Sequence, residues 1–169
     1  MKEKKFADGE LRSIVEGFGI KDAVSFAPFG SGHINDTFLA KRAGGEPFIL
    51  QRINTTVFPD ADAMMENISR VTAHIRSKGA RTLEVLGYSR PWRAYSFIDG
   101  AETVELIEKP EQAYVAANAF ARFQDMLSDL PEPRLHEILP KFHDTVNRIS
   151  LLEAAAKADA AGRLASVRR

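Results

Sequence analysis

The residues whose types and spacing could do chemistry are Phe29-Gly30-Ser31-Gly32-His33-Ile34-Asn35-Asp36-Thr37-Phe38. Backbone that passes close to a ligand needs residues without a Cβ. Two glycines between apolar runs can therefore fold as a hairpin lid over a phosphate. An extended run follows the loop, which excludes a Walker P-loop, whose Gly-Lys-Ser/Thr ends at a helix N-terminus. A dinucleotide fingerprint is excluded because Asn35 stands where the third glycine of G-x-G-x-x-G belongs. The bland alternative is an ordinary hairpin turn.

A phosphate lid needs a positive partner. Pro47-Phe48-Ile49-Leu50-Gln51-Arg52-Ile53-Asn54 reads as the next strand but one. Strand side chains alternate, so Phe48, Leu50 and Arg52 share one face and Ile49, Gln51 and Ile53 the other. The expected arrangement has Leu50 against a base and Arg52 holding phosphates, since arginine stays charged and binds them in bidentate fashion. The alternative is a solvated arginine at a strand end. The expected partner of such a cation is a carboxylate on the following helix. Glu66 is the candidate, the acidic residue inside that helix past its first turn; the alternative is a solvent-facing glutamate. Asp60 and Asp62 read as N-terminal helix charges. Asp36 would repel phosphates and is expected to face away from them and steady the loop.

These residues must be positioned by the elements around them. Asp8 is a candidate cap for a first helix with Leu11, Ile14, Val15 and Phe18 on one stripe. Strands are expected at about 24–29, 34–41 and 46–53, with Ala43-Gly44-Gly45 turning between the last two. Pro59-Asp60 opens a helix with Met64, Ile68, Val71 and Ile75 on one face, ended by Gly79. Short strands follow at 82–86 and 92–98. After Gly100 the pattern is helical: one helix from Pro110 carrying Phe120, Phe123, Met126 and Leu127, a loop bounded by Pro131 and Pro133, a segment at 135–150, and an alanine-rich helix beyond. Helix, three strands, helix, two strands, then helices is the order of a kinase small lobe leading into a large one. The fold class is α+β: an antiparallel sheet plus helix over residues 1–99, and the helical start of a second lobe over 100–169.

Composition narrows the partners. The chain has 169 residues, with 23 lysines and arginines against 23 aspartates and glutamates. No basic field draws it to nucleic acid. It has no cysteine, hence no disulfide framework, zinc knuckle or thiol nucleophile. The charged start Met1-Lys2-Glu3-Lys4-Lys5 leads into no apolar signal core, and no run has the length of a membrane span. A cytoplasmic protein is expected.

The glycine loop, Phe48-Ile49-Leu50-Gln51-Arg52-Ile53-Asn54 with Val57-Phe58, Met65-Glu66-Asn67-Ile68 with Val71-Thr72, Trp92-Arg93-Ala94-Tyr95-Ser96-Phe97-Ile98, and Lys141-Phe142-His143-Asp144-Thr145 with Arg148 together resemble one family. It is the aminoglycoside phosphotransferase and choline kinase-like group, and within it the N-acetylhexosamine 1-kinase type. The resemblance implies a bilobal kinase-like fold that transfers the γ-phosphoryl of ATP, with Mg²⁺, to a small hydroxylated substrate such as an amino sugar. By position, Gly30, Ser31, Gly32 and His33 would cover the phosphates. Arg52 would hold them, paired to Glu66. Ser96, Phe97 and Ile98 would form the hinge that meets adenine. His143 and Arg148 would line a sugar pocket or steady the second lobe; the alternative is a helix N-terminus capped by Asp144 or Thr145.

One departure stands out. The family's catalytic aspartate sits in a His-Gly-Asp segment, and a later aspartate binds Mg²⁺. None of His33, His74, His136 or His143 opens such a segment. Ile98-Asp99-Gly100 imitates a metal-binding motif but directly follows the hinge, where a turn is expected. The catalytic loop and the Mg²⁺ ligands are thus expected to lie outside these residues. The chain is expected to be an incomplete, inactive part of a kinase, from a truncated or split gene. The alternative function is a non-catalytic nucleotide-binding or protein-interaction module, self-associating through Phe120, Phe123, Met126 and Leu127.

Overall fold

Helix α1 (Asp8–Glu16) precedes three strands, β1 (Ala23–Pro28), β2 (Asp36–Arg42) and β3 (Phe48–Arg52). Helix α2 (Ala61–Ser77), strands β4 (Val85–Ser89) and β5 (Trp92–Ser96), and helices α3 (Pro110–Leu127), α4 (Thr145–Ala158) and α5 (Leu164–Val167) follow. This computed structural model describes residues 6–101 and 104–167. The charged start at residues 1–5 and the final Arg168 and Arg169 lie outside the described residues. Among the described residues, no helix is long and apolar enough to cross a membrane.

The strands form one antiparallel sheet in the order β1-β2-β3-β5-β4. It is buried on both faces at β3, where Phe48, Ile49 and Leu50 are 0–5% exposed. On one face Phe38, Phe48, Leu50, Trp92 and Ala94 pack with Leu11 and Val15 of α1. Each large side chain fully buried there contributes about 1.5–3 kcal/mol. On the other face, Met65 and Ala61 of α2 pack with Ile53, and Val85 and Tyr88 lie against them.

Several local expectations shift. The N-cap of α1 is Ala7, and Asp8 sits in the first turn, where its carboxylate still meets the positive end of the helix dipole. Helix α2 starts as its sequence demands: Asp60 accepts from the Ala63 N–H at 2.9 Å. It ends before Gly79, whose φ of +75° favours glycine. The buried stripe of α2 is Ala61, Met65, Thr72 and Ile75, so Met65 takes the place expected of Met64, and Thr72 that of Val71. Strand β4 lies at 85–89 rather than 82–86, because Ser89 pairs with Trp92 across a two-residue turn at Arg90 and Pro91. Gly87 stays inside that strand at a bulge. A Cβ there would come within 2.4 Å of Phe18, so the glycine makes room for the ring.

Two compact units divide the chain, Met1–His136 and Glu137–Arg169. In the first, α3 has no buried residue, and Tyr114 and Phe120 are 70% and 72% exposed. In the second, Asp144 caps α4 by accepting from the Asn147 N–H at 2.9 Å. The alanine-rich helix expected from about 151 starts earlier, within the segment at 135–150: α4 runs from Thr145 through the alanines to Ala158.

Candidate functional site

The residues between β1 and β2, 29–35, form the glycine loop. The Phe29 N–H donates to the Thr37 carbonyl at 2.9 Å and closes the base of this hairpin. Gly30 has φ +77°, a conformation that a side chain would strain. Gly32 has open space where a Cβ would stand. Beneath the two glycines lies a cleft of about 340 Å³, lined also by Phe29, Thr37, Ile49, Leu83 and Tyr95 and by Ser96, Phe97, Ile98 and Ala101. Its volume lies within the range of small-molecule sites, roughly 300–1,000 Å³. The Phe29 and Phe97 rings meet edge to face with centroids 5.7 Å apart, joining the root of the loop to the segment after β5. Ser31 and His33 are exposed on the loop and do not line the cleft. The Ser31 hydroxyl donates to Glu105 at 3.1 Å.

The register of the sheet decides which side chains reach this cleft. Thr37 pairs with Gln51, Ile49 with Tyr95 and Gln51 with Arg93. Thr37, Ile49 and Tyr95 line the cleft, so Gln51 and Arg93 share that face. Leu50 and Arg52 lie on the opposite face. Leu50 is fully buried in the α1 core, which corrects the expectation that it would touch a base. Arg52 stands 3.7 Å from Asp36 and its guanidinium lies 5.9 Å from the Phe6 ring centroid. The alternation along β3 holds as expected, but the face that meets the cleft is that of Ile49 and Gln51, and Ile49 is the apolar residue there.

Glu66 does not pair with Arg52 either. Glu66, Arg70, His74 and Lys78 recur every fourth residue along one side of α2, and that side grips residues 126–136. His136 Nε2 lies 2.8 Å from Glu66 Oε2. Asn67 and His136 exchange two bonds, side-chain amide to backbone, at 2.9 Å each. Arg70 donates to the carbonyls of Pro131 and Pro133. His74 and Lys78 both meet Asp129, and hydrogen bonds from Lys78 and then His74 bring that carboxyl down to about 2. One residue earlier on α2, Met65 faces the sheet and its sulfur lies 3.7 Å from Arg93 Nη1.

A polar chain crosses the cleft side of the sheet. Arg93 Nη2 and Nε donate to Gln51 Oε1 at 2.6 and 3.0 Å. Gln51 Nε2 donates to Thr37 Oγ1 at 2.8 Å. Asn35, at the end of the loop, accepts from the Asn54 N–H at 2.9 Å and ties the loop to the end of β3. Arg93 also lines a recess of about 130 Å³ beside α2, which shares Leu83 and Tyr95 with the main cleft. Burial pushes the Arg93 guanidinium down from its ordinary value and the Tyr95 hydroxyl up. Gln51, Arg93 and Tyr95 lie within the motif runs, but nothing in the sequence singles them out, and the pairing register places them on the cleft face.

The hinge expectation is refined. The Ser96 N–H donates to the Glu84 carbonyl, and the Ser96 hydroxyl accepts from the Glu84 N–H, each at 2.9 Å. Ser96 thus fastens the strand end, and Phe97 and Ile98 follow it along the cleft. In the second unit, Arg148 Nε donates to the Phe142 carbonyl at 2.8 Å and its guanidinium lies 5.2 Å from that ring's centroid. His143 packs edge-on against Phe142. Arg148 thus ties α4 to the turn before it, and Asp144 caps that helix.

A mixed α+β fold with a glycine loop over a sheet-floored cleft is consistent with the N-terminal lobe of a kinase-like phosphotransferase. The chain belongs to the phosphotransferase enzyme family: the model of that family, which includes the aminoglycoside phosphotransferases, matches residues 25–169. The kinase-like description of the fold rests on that match. Phosphotransferases of this family generally use ATP and Mg²⁺. Among the described residues no group of three or more His, Cys, Asp or Glu side chains converges to hold a metal ion.

Proposed function

We propose that this chain supplies the nucleotide-binding half of an ATP-dependent phosphotransferase that acts on a hydroxyl of a small molecule. The cleft beneath Gly30 and Gly32 carries this reading. Adenine would lie against Ile49, with the backbone of Phe97 and Ile98 at its edge. The glycine loop would close over the phosphates, bringing backbone N–H groups near them and excluding water. In the complete reaction an acceptor hydroxyl would attack the γ-phosphorus as the bond to the β-phosphate oxygen breaks and ADP leaves, the hydroxyl proton passing to the aspartate of a His-Gly-Asp segment that these 169 residues do not contain. Mg²⁺, when bound, neutralises charge on the phosphates. The acceptor class proposed is an amino sugar of the N-acetylhexosamine kind, on the strength of the ordered motifs from Gly30 to Arg148, and the setting proposed is the cytoplasm.

The 169 residues contain no His-Gly-Asp segment, and positioning of nucleophile and metal supplies most of the catalysis in this chemistry. The chain alone is therefore proposed to bind nucleotide without transferring phosphate. That same observation favours the second reading, a nucleotide-binding module without catalysis of its own.

Thermal unfolding with increasing Mg·ATP, beside a radiolabelled ATP assay with N-acetylhexosamines, tests both parts. A Tm that rises with ATP concentration and no labelled sugar is the expected result. An unmoved Tm at millimolar ATP contradicts nucleotide binding. Labelled sugar phosphate contradicts the claim that these residues are insufficient for transfer.

A further inference from the structure

Nothing on the cleft face of β3 supplies a positive charge, because Ile49 and Gln51 occupy it and Arg52 points to the other side. The cation on the cleft face of β3 and β5 is Arg93, directly across from Gln51. Its setting is unusual for a guanidinium. It is half-buried, and among the described residues no carboxylate lies within ion-pair distance. Its partners are a neutral amide oxygen, a thioether sulfur and the face of the Tyr95 ring, whose centroid lies 5.6 Å from the guanidinium carbon, and none of them is an anion. A cation withdrawn from water without a counter-ion is destabilised unless an anion arrives. The Gln51 amide holds two of its nitrogens on one side, which fixes the plane of the fork. Through Gln51 it is linked to Thr37, which lines the cleft just after the glycine loop.

We infer that Arg93 is the residue that holds the phosphates of the bound nucleotide, so that this chain carries its phosphate-binding cation on β5 and not on β3. The inference rests on the nucleotide reading of the cleft given above. The guanidinium offers bidentate hydrogen bonds to phosphate oxygens, and Gln51 orients it. Arg52 is a structural residue of the α1 face.

The test is calorimetric titration of the full 169-residue chain with ATP and, separately, with adenosine, which lacks the anion. Arg93→Met is expected to weaken ATP by about tenfold or more and to leave adenosine within about twofold, the loss of a charge-assisted bond pair. Arg93→Lys is expected to fall between. Gln51→Glu keeps the shape of the network and places a carboxylate against the guanidinium. It is expected to reproduce the selective loss of ATP affinity in a protein at least as stable as the wild type, so the question is decided even if Arg93→Met does not fold. Arg52→Met is expected to leave both affinities unchanged. Equal losses for ATP and adenosine, or an unchanged ATP affinity in folded Arg93→Met or in Gln51→Glu, overturn the assignment while the cleft reading stands. A wild-type chain that binds neither ligand overturns both.

Discussion

Asp36 and Arg52 stand directly opposite each other on β2 and β3, with the carboxylate 3.7 Å from the guanidinium. Both side chains are partly exposed, at 25% and 43%, so the pair has the worth of a surface cross-strand ion pair, about 0.5 kcal/mol. Arg52→Met is expected to lower unfolding free energy in urea by about that amount. A loss of several kcal/mol would show that the pair is structurally dominant.

The outline of the fold was legible where single residues force a backbone outcome. Asp60 capped α2, Gly79 ended it, and Gly30 and Gly32 marked the hairpin over the cleft. The face assignments were not legible. Phe48-Ile49-Leu50 is apolar without alternation because β3 is buried on both sides, so no pattern says which side holds α1. Met64 and Met65 are equally apolar, and turning α2 by one residue carried Glu66 from the sheet to His136. Arg93, between Trp92 and Ala94 in a five-residue strand, gains its significance only from pairing with Gln51. The order of elements is local information; the phase of each face is set by tertiary packing.

Phe18 occupies the space a side chain on Gly87 would need, with its ring carbon 2.4 Å from an ideal Cβ. Gly87→Ala is expected to destabilise the protein by about 1–3 kcal/mol through overpacking. Adding Phe18→Ala removes the clash, so the double variant is expected to be less destabilised than the sum of the single changes. Additive losses in chemical denaturation would contradict the close approach.

Asp129 links the loop after α3 to α2. Its carboxyl lies at about 2, below the ordinary 3.8, chiefly through the Lys78 hydrogen bond. A depressed acid stabilises the folded state above its unfolded value, and this stability disappears as the pH falls from 3.8 towards 2. Lys78→Met is expected to raise the Asp129 value and to narrow that acid-sensitive window. Carbon-detected NMR titration of the carboxyl reads both; an ordinary Asp129 titration in the wild type would contradict the contact.

Glu105 accepts from the Ser31 hydroxyl at 3.1 Å, which puts a carboxylate at the tip of the glycine loop. That charge opposes an incoming polyphosphate. Glu105→Gln is expected to tighten ATP binding about threefold, as removing one partly screened like charge should, and to leave adenosine unchanged. Weaker ATP binding would mean that Glu105 supports the bound loop.

The central claim is that nucleotide occupies the cleft between the glycine loop and the segment after β5. Titrating ATP into the isotope-labelled chain and following backbone amide resonances tests it most directly. Saturable shifts are expected to concentrate at Gly30, Gly32, Ile49, Phe97 and Ile98, with Leu11 and Val15 on the α1 face unmoved. No shifts at millimolar ATP, or shifts centred away from these residues, would contradict it.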